Sequence, residues 1–387
     1  MVGVRRVPVV VLAGGVGERI RVLTGGRPKA LLSLAGRYLV EYVLDNIAEL
    51  GFTEVYLVVG NPRDFEDVAA RYGRRLRVEL LQQSRPEIEG AVESVRGAVG
   101  GDFLLVYGDV VASVDMYREL VDLLARGEYG VILVPEEEVE QYTVARMRDS
   151  TTVEEFSRGV ETPGAVGYYA VGGAYLLPGE FVDLVEAYGS FTEALNAANR
   201  KYRLRPCIWS GWWVDVEYPW DLLRATLYIL HKLDRAIVSS SARVAHTSTI
   251  DGVVVIDEGA EVDHHAVIKG PAYIGRNCYI GSHTLIRSYV SLEGDNVVGS
   301  YSEVVWSSVQ RGATIGSRSY IGFSVVGEGS TVEPGVITLN VVPEQVKVSR
   351  PVRMERRGRE YVKVGAVIGR GARVKAYTVL KPCEVVE

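Results

Sequence analysis

Twelve aliphatic residues recur at a spacing of six, a period that neither an α-helix nor an ordinary strand produces. They are Val238, Val244, Ile250, Ile256, Val262, Ile268, Ile274, Ile280, Ile286, Leu292, Val298 and Val304. The phase slips by one residue, resumes at Val309, Ile315 and Ile321, and returns at Ile368, Val374 and Leu380. A helix turns its buried face inward every ~3.6 residues and a strand every second one. A six-residue period predicts a parallel β-helix, in which each unit forms one flat side of a prism and points its aliphatic inward. Gly275, Gly281, Gly299, Gly316 and Gly322 fall at the expected corners, where unusual backbone angles are predicted. The prism is expected over 236–387, interrupted by a loop at 340–365 that carries Lys347, Arg350, Arg353, Arg356, Arg357 and Arg359. That loop reads either as a solvated crossing or as an arm for a polyphosphate such as coenzyme A.

Residues 1–235 follow a different rhythm. Apolar runs at Val9–Leu12, Val55–Val59, Phe103–Tyr107 and Val131–Val134 alternate with amphipathic stretches at Leu39–Leu50, Phe65–Tyr72 and Met116–Arg126. Such alternation predicts an α/β domain with a mostly parallel sheet, helices on both faces, and ligands at the carboxyl ends of strands. A chain of 387 residues with 47% hydrophobic content can bury a core in each half. A net charge of −6 argues against a nucleic-acid partner. No apolar run approaches transmembrane length and the N-terminus lacks a signal-peptide layout, so no membrane partner and a cytoplasmic location are expected. Cys207, Cys278 and Cys383 lie far apart without C-x-x-C spacing, which predicts a reducing compartment rather than a zinc site or disulfide framework.

The chemistry concentrates in Val9–Leu32. The strand run leads into Gly14, Gly15 and Gly17, then Arg19, and Pro28 precedes Lys29, the only lysine in the first 200 residues. Elsewhere in that stretch positive charge is written as arginine, so a compact ammonium at Lys29 suggests a tight geometric demand. Glycines after a strand free backbone N–H groups to converge on a phosphate, which Arg19 and Lys29 can neutralise. The spacing is neither the dinucleotide fingerprint nor a Walker A loop. Two acids stand in similar contexts. Asp109 ends the run Phe103-Leu-Leu-Val-Tyr-Gly-Asp-Val, and Asp215 follows Trp213-Val and precedes Pro219 and Asp221. Paired carboxylates with substrate phosphates suit Mg²⁺.

L-A-G-G-x-G-x-R with a later P-K, Y-G-D-V, and W-x-D-[VI]-x-x-P-x-D together resemble the sugar-1-phosphate nucleotidylyltransferases. The hexapeptide half resembles the left-handed β-helix of hexapeptide acyltransferases, which usually trimerise. In order and extent the chain resembles the archaeal bifunctional enzymes that make UDP-N-acetylglucosamine. The resemblance implies a Rossmann-like α/β nucleotidyltransferase domain followed by a left-handed parallel β-helix, and a homotrimer. It implies that Leu12, Ala13, Gly14, Gly15, Gly17, Gln83 and Gly90 bind the nucleotide. Arg19 and Lys29 would act on the reacting phosphates, Asp109 and Asp215 would hold Mg²⁺, and Gly108 and Glu154 would meet the sugar. The substrates implied are a nucleoside triphosphate, UTP or dTTP, and a sugar-1-phosphate. The product would be UDP-N-acetylglucosamine or UDP- or dTDP-glucose, with pyrophosphate. GTP with mannose-1-phosphate is the rival pair.

This chain departs from the family pattern at several positions. Ala91 replaces a threonine after Gly90, Glu155 replaces the lysine beside Glu154, and Val171 stands where the sugar pocket has an asparagine. In the β-helix, Ser317-Arg318-Ser319-Tyr320-Ile321-Gly322 matches a stretch whose first residue is the histidine base of the acetyltransferase, and serine has no suitable pKa for that work. His264 and His265 are expected at a prism corner. Asn340 matches an asparagine of the acetyl-acceptor region, while the chain ends soon after Leu380, short of the coils that complete a coenzyme A site. The acetyltransferase is therefore expected to be lost. Two other readings are a regulatory paralogue that binds nucleotide sugars and a bifunctional enzyme with a different base.

Overall fold

A computed structural model describes residues 7–135, 142–159, 167–346, 348, 352–356 and 358–387. Lys347, Arg350 and Arg357 of the basic loop lie outside the described residues. The chain divides into two compact units. The first comprises Met1–Gly15, Pro28–Ala30 and Leu39–Asp215; the second comprises Val16–Arg27, Leu31–Tyr38 and Val216–Glu387. Two short early segments therefore group with the prism, and the rest of the second unit begins at Val216.

In the first unit, strands Phe103–Tyr107, Val9–Leu12, Glu54–Val59 and Arg77–Gln82 lie side by side and parallel. Val9, Val10, Val11, Leu105 and Val106 are fully buried, as expected of strands covered on both faces. The sheet continues antiparallel from Phe103–Tyr107 through Tyr168–Leu177 to Thr143–Asp149 and Thr152–Arg158. Gly130–Val134, the fourth apolar run, pairs antiparallel with Tyr168–Leu177 across a register shift and parallel with Arg205–Ile208, giving nine strands among the described residues. The sheet is mixed: four adjacent parallel strands, two of which lead to the glycine loop and Asp109, and a second parallel pair, Gly130–Val134 with Arg205–Ile208, beyond the antiparallel strand Tyr168–Leu177. Helices Leu39–Glu49, Glu66–Tyr72 and Val114–Ala125 occupy the amphipathic stretches. The Ser113 side chain caps the last of these by accepting from the Asp115 N–H.

The second unit is a left-handed parallel β-helix of three sheets with eight, seven and seven strands. Ile256 pairs with Ile274 and Ile274 with Leu292, so one turn takes eighteen residues and stacks three of the six-residue units. The slip in the sequence is a shortened turn, because Leu292 pairs with Val309 and Val309 with Val326. Val326 and Val332 continue the inward row, and the next place is taken by Thr338, whose hydroxyl accepts the Gly322 N–H at 2.8 Å. The hairpin Val352–Arg356/Arg359–Lys363 occupies the interruption. From Ile256 onward the inward aliphatics form one buried column; Val244 and Ile250 pack against it partly buried, and Val238, expected inward, is exposed on the first coil, which has no turn below it. Each residue of the column contributes about 1.5–3 kcal/mol relative to exposure, so the column dominates the stability of the prism. Helix Asp221–His231 packs on strands Ser33–Leu34 and Ser308–Val309 of the same unit.

The corners correct one expectation. Gly275, Gly281, Gly299, Gly316 and Gly322 do not adopt left-handed backbone angles; the next turn approaches too closely for a side chain. A Cβ on Gly275 would lie 2.6 Å from the Leu292 carbonyl oxygen. The left-handed corners are instead taken by other glycines, such as Gly259, Gly312, Gly329 and Gly371, and by residues such as His265, Asn277, His283, Tyr289, Tyr301, Arg318 and Tyr377, with φ of 47–64° at all such non-glycine corners from His265 onward. His265 stacks on His283, and His283 on Tyr301, at centroid separations of 4.9 Å. This gives different mutational outcomes at the two kinds of corner. Gly275→Ala is expected to destabilise the β-helix by about 1–3 kcal/mol through overpacking. Arg318→Gly, at φ 61°, should stay within about 1 kcal/mol of the parent, because relief of left-handed strain offsets the added freedom of the unfolded chain. Chemical denaturation of the two variants checks both outcomes.

Candidate active site

The site in the first unit begins where strand Val9–Leu12 ends. The Ala13 N–H donates to the Val58 carbonyl at 2.8 Å and the Gly108 N–H to the Leu12 carbonyl at 2.8 Å. These bonds tie the glycine loop to the ends of its two neighbouring strands. Gly108 has no room for a side chain, since a Cβ would meet Ala13 Cβ and the Leu12 oxygen at 3.0 Å. The Lys29 N–H donates to the Gly15 carbonyl at 3.0 Å, bringing the lysine back to the loop twelve residues after the chain left it. Lys29 Nζ then lies 2.7 Å from Asp109 Oδ2, with both side chains largely buried.

Asp215 reaches the same place from far along the chain. Strand Trp213–Asp215 pairs antiparallel with Val110–Ala112, and Asp215 stands opposite Val110, the residue after Asp109. Both aspartates act on one neighbour, the Tyr107 phenol. Burial, the Tyr175 phenol and these two carboxylates, in that order, push Tyr107 well above the ordinary phenol range. Its hydroxyl meets that of Tyr175 at 3.0 Å. Trp213 fixes its strand by donating its indole N–H to the Gly172 carbonyl at 3.0 Å.

The other predicted residues divide among three places. Gln83 joins the loop, with its Oε1 against Gly14, while its Nε2 donates to the carbonyls of Arg85 and Glu87 at 2.8 and 2.7 Å. Gly90 is required there, because a Cβ would lie 2.1 Å from the Arg85 carbonyl oxygen. Glu154 sits on the outer strand Thr152–Arg158, where Arg146 of the neighbouring strand bridges Glu154 and Glu155 at 3.2 Å each. Val171 is buried in the sheet. Gly17 and Arg19 belong to the second unit, where Gly17 takes φ 66° and Arg19 pairs with Glu217 at 2.5 Å and lies over the Tyr218 ring. Asp221 accepts the N–H groups of Glu217 and Tyr218 at 3.0 and 2.7 Å, so it shapes its own turn. Asn340, also in the second unit, donates to the Tyr320 hydroxyl at 3.0 Å and accepts from Lys363 Nζ at 3.2 Å.

A cation has a place in the first unit. Asp109 Oδ1 is buried without a hydrogen-bond partner, a costly condition that a bound cation relieves. Among the described residues no three His, Cys, Asp or Glu side chains are arranged around a metal. An ion here would rest on two carboxylates and complete its shell with substrate oxygens, the ligand set Mg²⁺ prefers. Sequence reasoning missed Arg146, which only the register of its strand could have found.

A glycine loop, a lysine and two strand-end carboxylates on an α/β sheet, joined to a hexapeptide prism, define a nucleotidyltransferase with a β-helix. Residues 9–166 match the family model of the MobA-like NTP transferase domain, and 253–288 match that of the bacterial transferase hexapeptide, six repeats. The chain is 30% identical over 370 residues to the bifunctional protein GlmU of Methanocaldococcus jannaschii, covering 93% of this chain and 87% of that one. It is 26% identical over 369 residues to the bifunctional sugar-1-phosphate nucleotidylyltransferase/acetyltransferase of Sulfurisphaera tokodaii, covering 93% and 89%. UDP-glucose pyrophosphorylase from Acinetobacter baumannii shares the fold, with a TM-score of 0.50 at 18% identity, covering 59% of this chain and 93% of that one. The chain belongs to the GlmU-type family of bifunctional sugar-1-phosphate nucleotidyltransferases and is an enzyme of the nucleotidyltransferase class. Among the described residues no helix is long and apolar enough to cross a membrane.

Tyr175→Phe is expected to leave the Tyr107 hydroxyl without its partner and to lower unfolding free energy by about 1–2 kcal/mol, read from denaturant curves.

Proposed function

We propose that the protein joins UTP or dTTP to a sugar-1-phosphate, N-acetylglucosamine-1-phosphate first among candidates, with Mg²⁺, releasing pyrophosphate. The observation that carries this reading is the Lys29–Asp109 pair beside the unpartnered Asp109 Oδ1 and the incoming Asp215. An oxygen of the sugar phosphate attacks the α-phosphorus in line. The new P–O bond forms as the bond from the α-phosphorus to the bridging oxygen breaks, and that electron pair leaves with pyrophosphate. The attacking oxygen is already anionic, so the protein's work is positioning and charge stabilisation. Asp109 and Asp215 would hold Mg²⁺, which when bound neutralises phosphate charge. Asp109 also holds the Lys29 ammonium in place, ready for the reacting phosphates. Arg19 keeps the role its motif gives it, on the leaving pyrophosphate. Glu154 and Gly108 remain the sugar-facing residues of this reading, and Arg146 supplies a cation that Glu155 no longer does.

The acetyltransferase, on our reading, is lost. Ser317 holds the place of the base, and the Ser319 hydroxyl accepts the Val336 N–H at 3.2 Å as part of the prism. Asn340 is engaged by Tyr320 and Lys363. We further propose a homotrimer built through the prism, supported by Tyr301 and Tyr377, 60% and 79% exposed along one corner column.

Pyrophosphate release is scanned with Mg²⁺ for UTP, dTTP and GTP against N-acetylglucosamine-1-, glucosamine-1-, glucose-1- and mannose-1-phosphate. Lys29→Ala should cost about 10²–10³-fold in kcat, on the scale of one lost electrostatic donor, and chelation by EDTA should abolish turnover. Turnover unaffected by EDTA would sink the metal reading. Acetyl-coenzyme A with glucosamine-1-phosphate should release no thiol above background. Light scattering should give about three times the 42.4 kDa chain mass.

A further inference from the structure

The segments on either side of Lys29 are both held by side chains and backbone of the β-helix, within the second unit. Downstream, the turn between strands Ser33–Leu34 and Arg37–Tyr38 is gripped by two buried polar residues. Gln310 accepts the Ser33 N–H through Oε1 at 3.1 Å and donates from Nε2 to the Ser33 carbonyl at 3.0 Å. Glu293 accepts the Ala35 N–H on Oε1 at 2.9 Å and the Gly36 N–H on Oε2 at 2.8 Å. Each of these residues is itself fixed from the prism. The Ser291 hydroxyl donates to Glu293 Oε1 at 2.6 Å, and Gln310 Nε2 donates also to the Ser308 hydroxyl at 3.1 Å. Gly36, at φ 80°, admits no side chain because Tyr273 fills the space where a Cβ would project. Upstream, the Arg370 N–H donates to the Val22 carbonyl at 2.8 Å, and Arg27 pairs with Glu328.

Only Pro28–Ala30 lies between these two anchored segments in the chain. The Lys29 backbone is therefore tethered at both ends over a few residues, a span too short to absorb a displaced anchor. We propose that Glu293 and Gln310 are positioning residues for nucleotidyl transfer, and that the β-helix sets the place of Lys29 through the Ser33–Gly36 turn. The inference rests on the nucleotidyltransferase activity and adds to it a task for the hexapeptide domain distinct from acyl transfer or assembly. Burial of a carboxylate and an amide on the outer side of a prism, where exposed residues are expected, is explained by this task. Burial pushes the Glu293 carboxyl up, while Ser291, the Gly36 and Ala35 N–H groups and Arg311 pull it back. Both of its oxygens accept from N–H donors, which matches the carboxylate form.

The test uses the full-length chain and four variants: Gln310→Ala, Gln310→Glu, Glu293→Gln, and Glu303→Ala as a control on another face. Glu303 pairs with Arg287 on the surface and touches none of the gripped segments. The two anchor removals should lower kcat about 10- to 100-fold, in line with the sensitivity of in-line reactions to displacements near 1 Å. The KM for triphosphate should move less than threefold, and the melting midpoint should stay above the assay temperature. Gln310→Glu, which keeps the acceptor for Ser33 N–H and loses the donor, should fall between parent and Gln310→Ala. Glu303→Ala should match the parent. Hydrogen exchange of the Lys29 amide should quicken at least tenfold in Gln310→Ala, a readout independent of which substrates the enzyme takes. Should the parent be silent on the whole substrate panel, the substrate reading fails, and the Lys29 exchange result alone decides the positioning role. Parent-like kcat in Gln310→Ala and Glu293→Gln, unchanged Lys29 exchange, or activity loss that merely tracks the unfolded fraction would each overturn the proposal.

Discussion

Every turn of the prism must stack its inward aliphatic on that of the turn below, and this demand fixes the rest of the second unit. With Leu292 over Ile274 and Val309 over Leu292, the backbone N–H and carbonyl groups of those strands are consumed by the ladder. Only outward side chains remain to hold anything else. Ser291 and Ser308 point outward from the same strands, and Glu293 and Gln310 follow at the next corner. A carboxylate buried there is costly unless donors surround it, and two backbone N–H groups with a serine hydroxyl meet that condition. The aliphatic row thus sets the register, and the register delivers polar groups where the Ser33–Gly36 turn can use them.

In the first unit the governing balance is electrostatic. Asp109 immediately precedes Val110, and Asp215 stands opposite Val110 on the paired strand, so two carboxylates converge on this part of the unit. Lys29 answers one oxygen of Asp109 and leaves the other buried and unpartnered. An anionic site of this kind gains from a divalent cation, and a cation held by only two protein carboxylates keeps coordination positions open for phosphate oxygens. A lysine suits this place better than an arginine. Its ammonium approaches a single carboxylate oxygen as a point charge, whereas a guanidinium would engage both oxygens and leave neither free.

How much of this was legible in the sequence follows from range. The hexad period is legible because no competing local structure repeats at six, and its slips mark shortened turns directly. Lys29, Asp109 and Asp215 are legible because each closes a strand-like run or follows a glycine loop. The corner glycines were misjudged for a physical reason: sequence shows that glycine is needed but not whether a backbone angle or a neighbouring turn requires it. At Gly275 the neighbour is the Leu292 carbonyl, a residue known to be close only once the coil register is fixed. The antiparallel strands Thr143–Asp149 and Thr152–Arg158 were also hidden, since their outer position leaves them mixed in polarity. Arg146 is invisible for the same reason, as it meets Glu154 and Glu155 only through cross-strand pairing.

That pairing bears on the three departures from the family pattern. Read along the sequence, Ala91, Glu155 and Val171 look like losses from a substrate pocket. In the folded chain Ala91 is a buried residue of helix Glu87–Glu93, and Val171 is buried in strand Tyr168–Leu177, both in the same apolar cluster. Packing alone accounts for an alanine and a valine at those places. The missing lysine is a different matter, because a cation is still present, delivered by Arg146 from the neighbouring strand. A guanidinium shared between two carboxylates has less charge to offer a phosphate than a lysine paired with one. On the proposed reading, the residues assigned to the reacting phosphates are kept and those assigned to the sugar are altered, which is the pattern expected when specificity changes and the transfer chemistry does not.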